Sequence, residues 1–265
     1  MRSTPLDAPG MKEALAAKRL LDESLEEAWG LQQSMLPDAP LQLPALEIRC
    51  KFRPARVVSG DFLDYFPIGS DSFDSRLLGL YLGDVVGKGI PAALYAALAM
   101  GTLRAAKKEG QTPAAVIEFF NRRLGDRHVL HRYCAVLYAV FDEAVRELRF
   151  TNAGLMPFPI HISEAGCCEL GEGGLPCGLF SDVRYEVYTV KLQAGETVLF
   201  STDGLIEATN QSGKPFGVNR LLEVCKQNRR ESLEVLLDRV FQAVDTFAHT
   251  DDQWDDMTAA ALRVL

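Results

Sequence analysis

Four short stretches of this 265-residue chain carry aspartates where chemistry could be done. They are SGDF with Asp61 (and Asp64 three residues on), GDVVGKG with Asp84, STDG with Asp203, and WDDMT with Asp255 and Asp256. Apolar runs lead into or out of these acids: LGLYLG precedes Asp84, TVLFST precedes Asp203, and MTAAALRV follows Asp256. Strands of one sheet system ending at one edge would bring the carboxylates together. Crowded carboxylates repel, so three or four in one place are costly unless cations neutralise them. Hard oxygen donors suit Mg²⁺ or Mn²⁺ better than zinc. Two such ions, about 4 Å apart, lower the pKa of a water between them and clamp the oxygens of an in-line displacement at phosphorus. The neighbouring glycines let a phosphate or ion approach the backbone. One Asp-Gly pair is usually only a turn; it is the ordered set that is informative.

Two cations lie near these acids. Arg56, five residues before Asp61, is either a fork donor for a substrate phosphate or a solvated loop residue. Lys88, inside GDVVGKG, either neutralises phosphate or caps its loop. Asn152 and Gly154 in TNAG read as turn-formers, and Trp254 beside Asp255 reads as packing.

The elements that must position these residues follow from periodicity. Alternation predicts strands over 46–52, 60–66 and 77–82, with a polar turn at 69–75. A helix is expected over 90–108, with Pro91 in its first turn and Gly110 at its end. A second helix covers 113–125, then a hairpin of 133–141 with 147–152. Short strands follow over 158–162, 184–191 and 197–201, then helices over 218–227 and 232–247 and a closing strand over 257–264. Antiparallel strands with helices grouped between them argue for an α+β layered sandwich. Residues 1–12 read as disordered. Residues 12–35 read as a helix with a heptad seam on Ala14, Lys18, Leu21, Leu25, Ala28, Gln32 and Met35, weakened by Lys18 and Gln32. That helix either packs on the domain or forms a parallel dimer contact. Pro37 ends it, and 37–44 reads as a linker.

Composition narrows the classes. The net charge of −8 and the lack of a basic face argue against nucleic acid as a partner, and against a two-metal nuclease. No run approaches the ~20 apolar residues of a membrane span, and the N-terminus has no apolar signal region. A cytoplasmic protein is expected. The six cysteines include no C-x-x-C pair and read as free thiols in a reducing compartment. The four histidines form no ligand motif.

LQQSMLP, FRPARVVSGDFLDYF, GDVVGKGIPAAL, FTNAGLMPFPI, GGLPCGLF, VLFSTDGLIEATNQSGKPFG and DDMTAAALRV follow one another along residues 31–265. In this order they resemble the PPM (type 2C) protein phosphatase superfamily, specifically its bacterial SpoIIE/RsbU-like branch. The resemblance implies an αββα sandwich of two antiparallel sheets flanked by helices. It implies a phosphatase domain over 37–265, and a tail with a regulatory or dimerisation helix over 1–36. It implies two Mn²⁺ or Mg²⁺ ions bridged or flanked by Asp61 and Asp84, with the Val85 carbonyl as a further ligand and Asp203 and Asp255 completing the shell of the second ion. Asp255 matches the first acid of the terminal D-[DN]-x-T motif and is preferred over Asp256, which with Asp64 takes an outer role.

The activity implied is direct hydrolysis of phosphoserine or phosphothreonine in a partner protein, with no C-x₅-R nucleophile motif for a covalent route. The implied substrate is a phosphorylated STAS-domain anti-sigma-factor antagonist in a partner-switching pathway. A catalytically silent binding module of the same fold is the alternative, although such relatives usually lose metal acids that this chain keeps. Ser59, Val86 and Leu155 depart from the family's usual glycine, small polar residue and histidine. They put loop geometry and substrate docking in question without removing a carboxylate.

Overall fold

The computed structural model describes residues 8–37, 41–68, 77–106, 112–125, 132–249 and 253–265. The expected turn at 69–75, the end at Gly110 of the helix expected over 90–108, and residues 1–7 lie outside them.

The chain opens with helix α1 (Ala8–Gln33), followed by β1 (Leu41–Leu43), β2 (Leu46–Arg53), β3 (Phe62–Ile68) and β4 (Leu77–Val85). Helices α2 (Ile90–Ala106) and α3 (Pro113–Gly125) come next, then β5 (Cys134–Asp142), β6 (Glu147–Ala153), β7 (Ile160–Ser163), β8 (Gly166–Glu169), β9 (Tyr188–Lys191) and β10 (Thr197–Ser201). The last part holds α4 (Gly204–Glu207), α5 (Val218–Gln227), α6 (Leu233–Ala248) and β11 (Met257–Val264).

The strands form two sheets, ordered β1-β2-β11-β10-β7-β8 and β3-β4-β5-β6-β9, and all their pairings are antiparallel. Period-two alternation sends each strand's side chains to two different cores. Leu78, Leu80 and Leu82 of β4 face Val198, Phe200, Ala260 and Leu262 between the sheets. The opposite face of the second sheet, with Phe62, Tyr81 and Tyr138, packs on Ala96, Met100, Val116 and Phe120 of α2 and α3. The opposite face of the first sheet, with Ile160, Leu199, Ala259 and Ala261, packs on Leu221, Leu236 and Val240 of α5 and α6. Helix–sheet–sheet–helix layering is therefore the expected αββα sandwich. The start of α6 is fixed by Ser232, whose Oγ accepts from the Val235 N–H at 3.3 Å.

Several boundaries differ from the sequence reading. Residues 8–12, read as disordered, are already helical in α1. The supposed linker contains β1, which adds an edge strand beside β2. The four-residue elements β8 and α4 were not anticipated. The heptad seam of α1 divides in two. Leu25, Ala28 and Met35 are half-buried and Gln32 is buried, while Ala14, Lys18 and Leu21 are exposed. All six cysteines are free thiols.

Candidate metal centre

The β3–β4 ladder pairs Phe62 with Gly83, and the Val85 N–H donates to the Gly60 carbonyl at 3.3 Å. Asp61 and Asp84 therefore stand opposite one another just past the last apolar pair. On β4 the inward row Leu78, Leu80, Leu82 ends in Asp84. On the facing sheet the row through Val198 and Phe200 ends in Thr202, and the row through Leu262 and Ala260 ends in Thr258 and Asp256. The acids are continuations of the inter-sheet core at its mouth.

Asp61 is buried, and its Oδ2 accepts from the hydroxyls of Thr202 at 2.8 Å and Thr258 at 2.6 Å. Burial pushes its pKa well above the usual carboxylate range, and the charges of Asp84 and Asp256 push it further, against the two threonine hydrogen bonds. Asp84 is raised to about 7, first by burial and then by Asp203, Asp255 and Asp256, while a hydrogen bond to Asp61 opposes the shift. Asp203 sits at the head of α4 and is raised to about 6 by burial, then Glu207 and Asp255, against the amides of Asp203 and Gly204. Gly204 is required here, because a Cβ would overlap the carbonyl oxygen of Asp256.

The two terminal acids separate clearly. Asp256 is buried and has both oxygens engaged: Oδ1 accepts from the Ala55 N–H and Oδ2 from the Gly60 N–H, each at 2.7 Å. Asp255 is half-exposed, pairs with Lys88 Nζ at 3.0 Å, and accepts from the Asp256 N–H at 3.0 Å. Lys88 also donates to the Trp254 carbonyl. It thus holds the backbone and side chain beside the acids. Arg56 is exposed, and a Cβ built on Gly89 would lie 3.7 Å from its Nη1, which places it at the rim of the GDVVGKG loop. Val85 is buried, with its carbonyl turned to Gly60, where an added Cβ would come within 3.1 Å of the oxygen.

The acids raise one another's pKa without closing on a point. Among the described residues, no three histidine, cysteine or acidic side chains are gathered tightly enough to hold a metal ion by themselves. The donors are oxygens throughout, so the set fits a hard divalent ion by its chemistry.

Two expectations need correction. Asp64 does not join the cluster. It lies on the α2 side of β3, where its Oδ2 accepts from Arg104 Nε at 2.7 Å and the Tyr81 hydroxyl at 3.2 Å. Trp254 is not packing: it is 71% exposed, beside a cavity of about 430 Å³ lined by Lys88, Glu207, Thr209 and Asp255. Asn152 has the expected turn role, bracketing Leu155 through 2.9 and 2.8 Å bonds to its carbonyl and N–H.

Thr202, Thr258 and Gln32 stand beside the acids or their backbone without being among the expected site residues. Thr258 was visible as the last position of D-[DN]-x-T, and Thr202 as the residue before Asp203; both have the inward parity of the apolar rows. Gln32 carried no such signal.

The family model of Stage II sporulation protein E (SpoIIE) matches residues 74–265. Protein IcfG of Synechocystis sp. is 28% identical over 267 residues, covering 90% of this chain and 41% of that protein. Phosphoserine phosphatase RsbU of Bacillus subtilis is 24% identical over 249 residues, covering 92% of this chain and 70% of that protein. The chain therefore spans less than half of one of these relatives and about two thirds of the other. Among solved structures, the SiaA-PP2C domain of Pseudomonas aeruginosa superposes with a TM-score of 0.80 at 22% identity, covering 94% of this chain and 98% of that one. The family match takes in Asp84, Asp203, Asp255 and Asp256, and the chain belongs to the SpoIIE family.

Proposed function

We propose that this chain is a metal-dependent phosphoprotein phosphatase acting on phosphoserine or phosphothreonine. The single observation that carries the proposal is the contact between the carboxyls of buried Asp61 and half-buried Asp84, with Asp203 and Asp255 near enough to shift Asp84. Two touching carboxyls need a shared proton or a cation. Oxygen donors alone favour Mg²⁺ or Mn²⁺.

In this reading Asp61 and Asp84 hold the shared edge of two ion positions, with the Val85 carbonyl beside them. Asp203 and Asp255 complete the outer position. Asp255 suits that role better than Asp256, whose oxygens already fix the backbone at Ala55 and Gly60. When bound, the two ions supply the positive charge and the activated water that in-line attack at phosphorus requires. Thr202 and Thr258 orient Asp61, Lys88 orients Asp255, and Arg56 at the rim is placed to meet phosphate oxygens as a fork donor.

The partner we propose is a phosphorylated STAS-domain anti-sigma-factor antagonist in the cytoplasm, supported by family membership and by the name of its relative RsbU. No helix among the described residues is long and apolar enough to cross a membrane. The exposed apolar side chains Met11, Leu15 and Leu21 support α1 as a regulatory or homodimer contact ahead of the domain over 37–265.

The test is phosphate release from a phosphoserine protein with Mn²⁺, with EDTA, and in an Asp84→Asn variant. Release that needs metal and disappears in the variant is expected. A folded protein that binds the phosphoprotein yet releases nothing with any metal would overturn the reading in favour of a silent binding module.

A further inference from the structure

The segment 58–61 is buried throughout, and its backbone is held by several elements. The Gly60 N–H goes to Asp256 at 2.7 Å, the Gly60 carbonyl accepts from Val85 at 3.3 Å, and the Asp61 N–H goes to Ser59 Oγ at 3.0 Å. Both backbone groups of Ser59 are taken by one side chain from outside the sandwich. Gln32 of α1 donates Nε2 to the Ser59 carbonyl at 2.8 Å and accepts from the Ser59 N–H at 2.9 Å. Its amide does what a neighbouring strand would do.

Gln32 is also the one buried side chain among those described in α1. An amide placed at the core position of a helix seam costs stability unless both its polar ends are satisfied, and here both are. The other anchor of α1 is the aromatic Trp29, whose ring stacks on Phe52 at 5.9 Å; Phe52 belongs to β2 and pairs with Thr258 of β11. The helix therefore has two different grips on the sandwich. One holds a strand; the other holds the backbone two residues from Asp61.

We propose that Gln32 is a positioning residue that couples the seating of α1 to the placement of Asp61 in the metal centre. The proposal rests on the metal-centre reading above for its consequence, but not for the contact itself. Lifting or rotating α1 breaks both bonds to Ser59 at once. The 59–61 backbone is then held only from the Asp256 and Val85 sides, and Asp61 loses the fixed approach its threonine partners need.

The test compares Gln32→Ala with Trp29→Ala in the whole chain, reading Mn²⁺ binding by calorimetry and amide hydrogen exchange at Gly60 and Asp61. Both variants should loosen α1. Only Gln32→Ala should weaken Mn²⁺ binding, by about tenfold, the scale of a lost outer partner of a metal ligand. Only it should speed exchange at Gly60 and Asp61. If Gln32→Ala matches wild type in both readouts, or if Trp29→Ala reproduces both effects, the proposal is overturned. If wild type itself takes up no Mn²⁺, the metal-centre reading fails instead, and the exchange comparison still decides whether Gln32 positions the segment.

Discussion

The inter-sheet core and the acid mouth are built from the same strands and the same inward-facing rows. Along β4, Leu78, Leu80 and Leu82 are dry and close-packed, and the next inward position is Asp84. Along the facing sheet, apolar residues give way to Thr202, Thr258 and Asp256 in the same rows. One end of the sandwich gains from burial. The other end buries charge, which burial penalises. The sheets deliver both because backbone pairing continues past the point where the side chains change character. A site made this way takes its rigidity from the leucines behind it, and its strain is confined to the last position of each row.

The sharpest way to break that comparison is to alter neighbouring inward positions on one strand. Asp84→Asn should lower phosphate release by more than the roughly 10–100-fold loss typical of an outer partner. In EDTA it should raise the melting temperature, because a buried repelling charge has gone. Leu82→Ala, two residues earlier, should do the opposite to stability, costing about 2–5 kcal/mol in denaturant titration. If both substitutions destabilise the metal-free protein, the core and the mouth are not the contrasting regions described.

A smaller effect is expected from an acid on the other face. Asp64→Asn strips the charge from the bond to Arg104 and should cost about 1–3 kcal/mol. Phosphate release at saturating Mn²⁺ should stay near wild type. A loss comparable to that of Asp84→Asn would return Asp64 to the metal centre.

The pH response sharpens the electrostatic half. Asp84 and Asp203 bind protons more tightly folded than unfolded, with values of about 7 and about 6 against an ordinary 3.8. Their contribution favours folding at acid pH and is lost as the pH rises through those values. Thermal melts should therefore show a larger gain on adding Mn²⁺ at pH 8 than at pH 5, at about 2–4 °C per kcal/mol of relieved repulsion. Equal gains would mean that the ion does not offset these charges. The smallest effect belongs to Trp254→Ala, expected to change stability by less than about 0.5 kcal/mol because the ring is exposed.

Much of this was legible because strands carry their own ruler. Runs such as TVLFST and MTAAALRV placed β10 and β11 at their observed bounds, and the acids at their ends followed. Asp64 shows that nearness in sequence is not nearness in space. Three residues along a strand is an odd step, so Asp61 and Asp64 must face opposite ways. The four-residue β8 and α4 are too short to show a period. Gln32 looked like a flaw in a heptad seam, since only the fold brings Ser59 to it. Trp254 stood next to a strand without belonging to its alternation.

Asp256 reaches across 201 residues to the Ala55 N–H and 196 to that of Gly60. Its strand, β11, lies between β2 and β10, in the middle of its sheet. During synthesis, therefore, β2 and β10 have no common neighbour until residues 257–264 emerge, and the acid mouth has no way to assemble before then. The second sheet, complete by β9, can form while the ribosome is still working. The acid mouth thus stays unmade until β11 has been synthesised, an order of events imposed by where one late strand is inserted.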